Sequence, residues 1–271
     1  MAIRMFDIEH RAWGFDLHSI AACALPAANH PTPLARSTAL PVARSTNRLL
    51  ASIPDDDFAR WAPRVELVDL HRGQVLHESH APTEYVYFPT TCMVSILYVL
   101  ANGATTEVAV VGKEGIVGIS QFMGGESTPT RAVVLSDGSG YRLSSSELKT
   151  EIESAGPVLS VLLRYTQALI AQVSQTAVCN RHHSIRQQFC RWLLLSLDRV
   201  AGDELVMTQE LIANMLGVRR EGITAEALRL QAEGALRYHR GHITVLDRSK
   251  LAANACECYS AISREYERLF P

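Results

Sequence analysis

Arg219, Arg220 and Glu221 stand in a row and carry side chains that can read a base edge. An arginine fork bonds guanine O6 and N7 together, and a glutamate accepts from cytosine N4. Such groups act only when one rigid element presents them together. The surrounding stretch, Met207 to Glu233, reads MTQELIANMLGVRREGITAEALRLQAE. Thr208 is placed as an N-cap whose hydroxyl accepts an orphan backbone N–H. Ile212, Met215 and Leu216 fall three and four apart, on one face of a helix over about 209–216. Ala213 is small where two helices approach, and Gly217 suits the left-handed backbone that ends a helix in a sharp turn. A second helix is expected over about 219–233, with Ile223, Ala227, Leu228 and Leu230 facing inward. This is the pattern of a helix-turn-helix, whose second helix enters the DNA major groove with its first residues on base edges. The alternative is a plain helical pair whose arginines are solvated surface charges.

The order of residues says more than the spacing. LIANMLGVRRE, then ALRL, then RGHITVLD resembles the winged helix-turn-helix of the Crp/Fnr family of bacterial transcription regulators. The resemblance implies that Arg220 and Glu221 occupy base-reading positions, with Arg219 one place earlier and Thr224 next on the exposed face. The family's later arginine is Ala225 here, which implies one base contact fewer and a shifted half-site preference. Thr208, Tyr238, Arg240 and His242 are candidate phosphate contacts, which set register without reading sequence. Gly222 costs about 1 kcal/mol of helix propensity relative to alanine, which a close backbone approach would justify.

Composition sets the frame for that reading. The chain has 271 residues, 47% hydrophobic and 20% charged, which suits about two soluble domains. A formal net charge of -2 excludes a wholly basic nucleic-acid binder. Positive charge is local instead: Arg219, Arg220, Arg229, Arg237, Arg240, Arg248 and Lys250 outnumber Glu221, Glu226, Glu233 and Asp247 in one segment. No apolar run reaches the roughly 18 residues of a membrane span, and the N-terminus lacks the pattern of a secretory signal. Cys23, Cys92, Cys179, Cys190, Cys256 and Cys258 match no zinc-ribbon spacing and form no C-x-x-C pair. A reduced, cytoplasmic protein without a membrane partner is the simplest expectation.

Elements that would position the reading head can be taken in order. Residues 1–45, rich in Ala and Pro, read as a disordered tail. Over 46–156, seven short alternating segments, from VELVDL to GYRL, are separated by turn residues, which implies an antiparallel β-roll. EYVYFP, MVSIL and EVAVVGKEGIVG resemble the barrel core of the family's cyclic-nucleotide-binding-type sensor domain. Pro157 then opens a long helix over 157–181. Leu159, Leu162, Thr166, Leu169, Val173 and Ala177 repeat along it, with Leu163 and Ile170 beside them. The resemblance implies that this helix is the seam of a homodimer; the alternative is packing on its own barrel. Residues 182–271 form the winged helix-turn-helix domain with one extra C-terminal helix from about Ser249 to Phe270. The fold class is therefore α+β.

The sensor departs from its relatives where a ligand would sit. The resemblance places Gly118 and Arg131 in the cassette that holds a cyclic nucleotide. Ile119 stands where that family has a glutamate for the ribose, and Ala132 where it has a hydroxyl beside the arginine. Isoleucine cannot accept from ribose hydroxyls, which argues against cyclic AMP and leaves the effector unidentified. Arg131 is an anion ligand or an exposed strand charge. One cysteine before residue 92 cannot build the iron–sulfur cluster of the oxygen-sensing branch. His71, His77 and His80 are near in sequence, but strand alternation separates them. Cys256 and Cys258, two apart on the expected last helix, point apart and read as structural. Cys92 is a candidate redox thiol with no visible cause for a lowered pKa. No metal or cofactor is expected.

Double-stranded DNA, a second copy of the chain, RNA polymerase and a small-molecule effector are the implied partners. The expected function is a non-enzymatic, sequence-specific regulator acting as a homodimer on an imperfect palindrome. Two other readings stay open. A metal-dependent barrel enzyme needs converging His and carboxylates, and no such motif stands out. A constitutive regulator would carry a sensor that binds nothing.

Overall fold

The computed structural model describes residues 42–153 and 156–270. Most of the expected tail, 1–41, and Cys23 with it lie outside the described residues. Residues 42–45 are structured: Val42 packs on the core, and the Ala43 N–H donates to the Tyr141 hydroxyl at 2.9 Å. Two short helices follow, α1 (Arg48–Ala51) and α2 (Asp55–Trp61). They and the turn between them bury Leu49, Leu50, Ile53 and Trp61 against the strands.

All seven expected strand segments form strands. They are β1 (Glu66–Leu70), β2 (Val75–His77), β3 (Tyr85–Pro89), β4 (Met93–Val99), β5 (Thr105–Val111), β6 (Thr130–Ser136) and β7 (Gly138–Ser144). Every pairing is antiparallel, in two sheets of order β1-β7-β3 and β2-β6-β4-β5. Period-two alternation turns Val68, Leu70, Val86 and Phe88 of one sheet and Val94, Ala132 and Val134 of the other into one core.

After α3 (Ser145–Glu153), Pro157 opens the long helix α4 (Pro157–His182). The expected dimer stripe does not lie free. Leu162, Thr166 and Leu169 are buried within their own chain, Leu159 is half-buried, and only Val173 and Ala177 of the stripe are exposed. The apolar residues facing outward are the neighbouring Leu163 (52% exposed) and Ile170 (57%). The β-roll covers part of that face, and the C-terminus covers more. The single last helix expected from Ser249 is two helices, α8 (Arg248–Asn254) and α9 (Cys258–Leu269), with a break over 255–257 that starts at an extended Ala255. The second of them runs back along α4, with the Tyr165 and Tyr266 rings 6.4 Å apart. Ile262, Tyr266, Leu269 and Phe270 thereby join the β-roll core.

Between these ends lies the DNA-binding-type unit. Helix α5 (Ile185–Leu197) starts with a capping box between Ser184 and Gln187. Then come β8 (Glu204–Val206), α6 (Gln209–Leu216), α7 (Arg220–Ala232), β9 (Leu236–His239), β10 (His242–Val245), α8 (Arg248–Asn254) and α9 (Cys258–Leu269). The three strands pair in the order β8-β10-β9. This unit rests on the β-roll: Met93, Val110 and Leu135 share a buried cluster with Phe189, Trp192, Met215 and Leu216. Among the described residues no helix is long and apolar enough to cross a membrane.

Candidate nucleic-acid interface

Thr208 caps α6, its hydroxyl accepting from the Leu211 N–H at 3.2 Å. Ile212, Ala213, Met215 and Leu216 are buried, and Gly217 takes a left-handed backbone at φ +65°. The turn delivers Arg219 as the N-cap of α7, with Arg220 and Glu221 as its first two residues. All three are exposed. Among the described residues none of them forms a side-chain hydrogen bond or ion pair, so their heads are available at the end of a rigid rod. Ile223, Ala227 and Leu230 hold α7 to the core. Leu228, expected inside, is 61% exposed because it lies a full 100° around the helix from Ala227. A Cβ on Gly222 would come within 2.8 Å of Ile185 Cδ1, so the glycine lets α5 start against α7.

The other expected contacts divide by what already holds them. Thr224 donates to Gln209 Oε1 at 2.7 Å, with Arg220 O at 3.1 Å as its alternative acceptor, and so ties α7 to α6. The Tyr238 hydroxyl donates to Met207 O at 2.7 Å, and burial pushes its pKa up to about 12. His242 Nδ1 lies 2.7 Å from Glu204 Oε1 across β8 and β10. These side chains brace the frame. Arg240 differs: it sits with Gly241 in the two-residue loop between β9 and β10, at φ +49° and +86°, exposed at the tip of the wing. Cationic groups without a partner among the described residues therefore stand at both the start of α7 and the wing tip.

In the β-roll, Gly118 has φ +103°, and a Cβ there would touch Val86 Cγ1 at 3.0 Å. Ile119 begins a short 3-10 turn. Arg131 Nε donates to Glu78 Oε2 at 2.7 Å, so a carboxylate already faces the guanidinium expected to meet an anion. Ala132 is fully buried in the core. His77 is buried against β6 and its pKa falls to about 4 through desolvation, while His71 and His80 are exposed; the three do not converge. Cys92 is buried and desolvation pushes its thiol up to about 12, which removes it as a redox group at neutral pH.

Two polar links between the units were not legible in the sequence. Glu107 of β5 accepts from Ser95 Oγ at 2.6 Å and from Trp192 Nε1 at 2.9 Å. Glu114, just after β5, accepts from Arg199 Nε at 2.7 Å, and both are buried. A Cβ on Gly112 would come within 2.6 Å of Arg199 Cγ, which explains that glycine.

Two family models match this arrangement: a Crp-like helix-turn-helix domain over residues 187–253 and a cyclic nucleotide-binding domain over residues 67–155. The chain belongs to the Crp/Fnr family. It is a transcriptional regulator of that type, with a sensor-type β-roll and a DNA-binding helix-turn-helix. Solved structures share the fold. A Crp/Fnr-family regulator from Eubacterium rectale is 18% identical, with 77% of this chain and 98% of that one covered and a TM-score of 0.62. FixK2 from Bradyrhizobium japonicum is also 18% identical, with 71% and 98% covered and a TM-score of 0.59. The c-di-GMP-responsive regulator CLP of Xanthomonas campestris is 14% identical, with 71% and 99% covered and a TM-score of 0.57. No curated protein matches the chain. Crp/Fnr membership implies DNA as a partner.

Proposed function

We propose that the chain acts as a homodimer that reads an imperfect palindrome through Arg219, Arg220 and Glu221, with Arg240 on the flanking phosphates. The observation that carries this reading is the unengaged row of fork-shaped side chains at the start of α7. Two such helices related by a two-fold would meet major grooves about 34–36 Å apart. The second copy is seated on the outward face of α4, through Leu163, Ile170, Val173 and Ala177, because the inner face is already covered by α9 and the β-roll. A signal reaching the β-roll acts through the buried contacts of Glu107 and Glu114 with the DNA-binding unit. Cyclic AMP is not that signal: Ile119 offers no acceptor to a ribose, and Glu78 opposes a phosphate at Arg131. RNA polymerase is a further partner on this reading, and no catalytic activity is assigned. Selection of bound duplexes from random DNA tests it: enrichment of a two-fold-related motif is expected, and no enrichment of any motif overturns it.

A further inference from the structure

Cys179, His183, Cys256 and Cys258 come from two distant parts of the chain and meet in one place. Their ligating atoms all lie within 4.8 Å of one another. Cys179 Sγ is 3.5 Å from Cys256 Sγ, and Cys258 Sγ is 3.4 Å from His183 Nδ1. All three thiols are buried. The expectation that Cys256 and Cys258 point apart on one helix fails because the helix breaks there. Cys256 lies in the link between the two helices, and Cys258 is the first residue of α9. Cys179 and His183 are one helical turn apart, at the end of α4 and its C-cap, so both face the same side.

We infer that these four side chains form a tetrahedral site for a single zinc ion. Zinc–sulfur bonds of about 2.3 Å and zinc–nitrogen bonds of about 2.0–2.1 Å put tetrahedral ligands about 3.5–3.8 Å apart, against 3.5 Å for Cys179 with Cys256, 3.4 Å for Cys258 with His183 and no more than 4.8 Å for any pair. Three sulfurs and one imidazole nitrogen are donors that select zinc over magnesium or calcium. The four atoms are too close together to surround an iron–sulfur cluster. The outer groups also fit. His183 turns Nδ1 to the thiols and leaves Nε2 at 3.4 Å from Glu257 Oε2, the carboxylate–imidazole arrangement that orients a metal-bound histidine. Gln175 Nε2 donates to Cys258 Sγ at 3.0 Å, a contact that favours thiolate. The buried Arg191 acts electrostatically on Cys179 and offsets the excess negative charge of three thiolates around a dication.

The location gives the site a role. His183 and Ser184 are the joint between α4 and α5, so the ion would tie α9 to the point where the DNA-binding unit leaves the long helix. None of this depends on the operator or dimer reading above.

The test uses the full-length protein, purified under reducing conditions without a metal-charged matrix. About one zinc per chain is expected by elemental analysis, falling at least tenfold in Cys258→Ser. Replacing the ion with cobalt should give the intense visible bands of a tetrahedral thiolate site. These bands need only the wild-type chain, so a misfolded variant does not blunt the test. Reduced wild-type protein that takes up neither zinc nor cobalt overturns the inference. So does a Cys179–Cys256 disulfide in protein alkylated at lysis.

Discussion

The indole N–H of Trp192 donates to Glu107 Oε1 at 2.9 Å, and this bond crosses from the DNA-binding unit to strand β5 of the β-roll. Glu107 is buried, and Ser95 holds its other oxygen at 2.6 Å. Burial shifts such a carboxyl towards its neutral form, which makes the contact between the units sensitive to pH.

Burial raises the Glu107 pKa from 4.5 to about 7, against the smaller opposing effects of the Ser95 and Trp192 hydrogen bonds. The folded protein therefore holds this proton more tightly than the unfolded chain. Its contribution to stability is full below about pH 4.5 and is lost as pH rises towards 7, a change on the order of 3 kcal/mol. Urea unfolding of wild type and Glu107→Gln at about pH 5 and about pH 8 isolates this effect. Wild type should lose more stability than the variant over that interval; equal losses would remove Glu107 as the cause.

Arg220→Ala should lower affinity for the selected operator by about 1–3 kcal/mol and relax preference at one half-site position. Arg240→Ala should weaken binding to all duplexes alike and reduce the salt slope by about one per chain. Fluorescence anisotropy at several salt concentrations separates the two. Unchanged specific and nonspecific binding in Arg220→Ala would mean that α7 is not the reading helix.

Two substitutions on α4 distinguish its faces. Ile170 is exposed, so Ile170→Glu should fold normally and sediment as a monomer. Leu162 is fully buried in its own chain, so Leu162→Glu should cost several kcal/mol of stability by burying a charge. A dimeric Ile170→Glu protein would place the seam elsewhere.

Gly115 has an ordinary backbone, but a Cβ there would overlap the Tyr165 ring at 2.3 Å. Gly115→Ala should cost about 1–3 kcal/mol through overpacking. Gly73 is the contrast: it has φ +84° and nothing within 4 Å, so Gly73→Ala should cost about 1–2 kcal/mol through backbone strain alone. Thermal unfolding would show whether the cost at Gly115 disappears when Tyr165 is shortened to Leu, as overpacking requires and strain does not.

Local chemistry made much of the molecule legible before any coordinates. Thr208 as a cap, Gly217 as a helix stop, Pro157 as a helix start and the seven alternating strands each follow from forces within a few residues. The exposed row from Arg219 to Glu221 follows from that local order as well. What the sequence could not determine is which of two apolar faces of α4 is covered. Both Leu162 and Leu163 are hydrophobic, and the docking of α4 on the β-roll together with the return of α9 along it decides which is inside. The same return brings Cys256 and Cys258 to Cys179 and His183, across about seventy-five residues of chain. Glu107 with Trp192 and Glu114 with Arg199 are likewise partners about eighty-five residues apart. Periodicity reports the environment of a residue along its own element, whereas such pairings depend on how whole elements dock, which the burial of their combined surfaces settles.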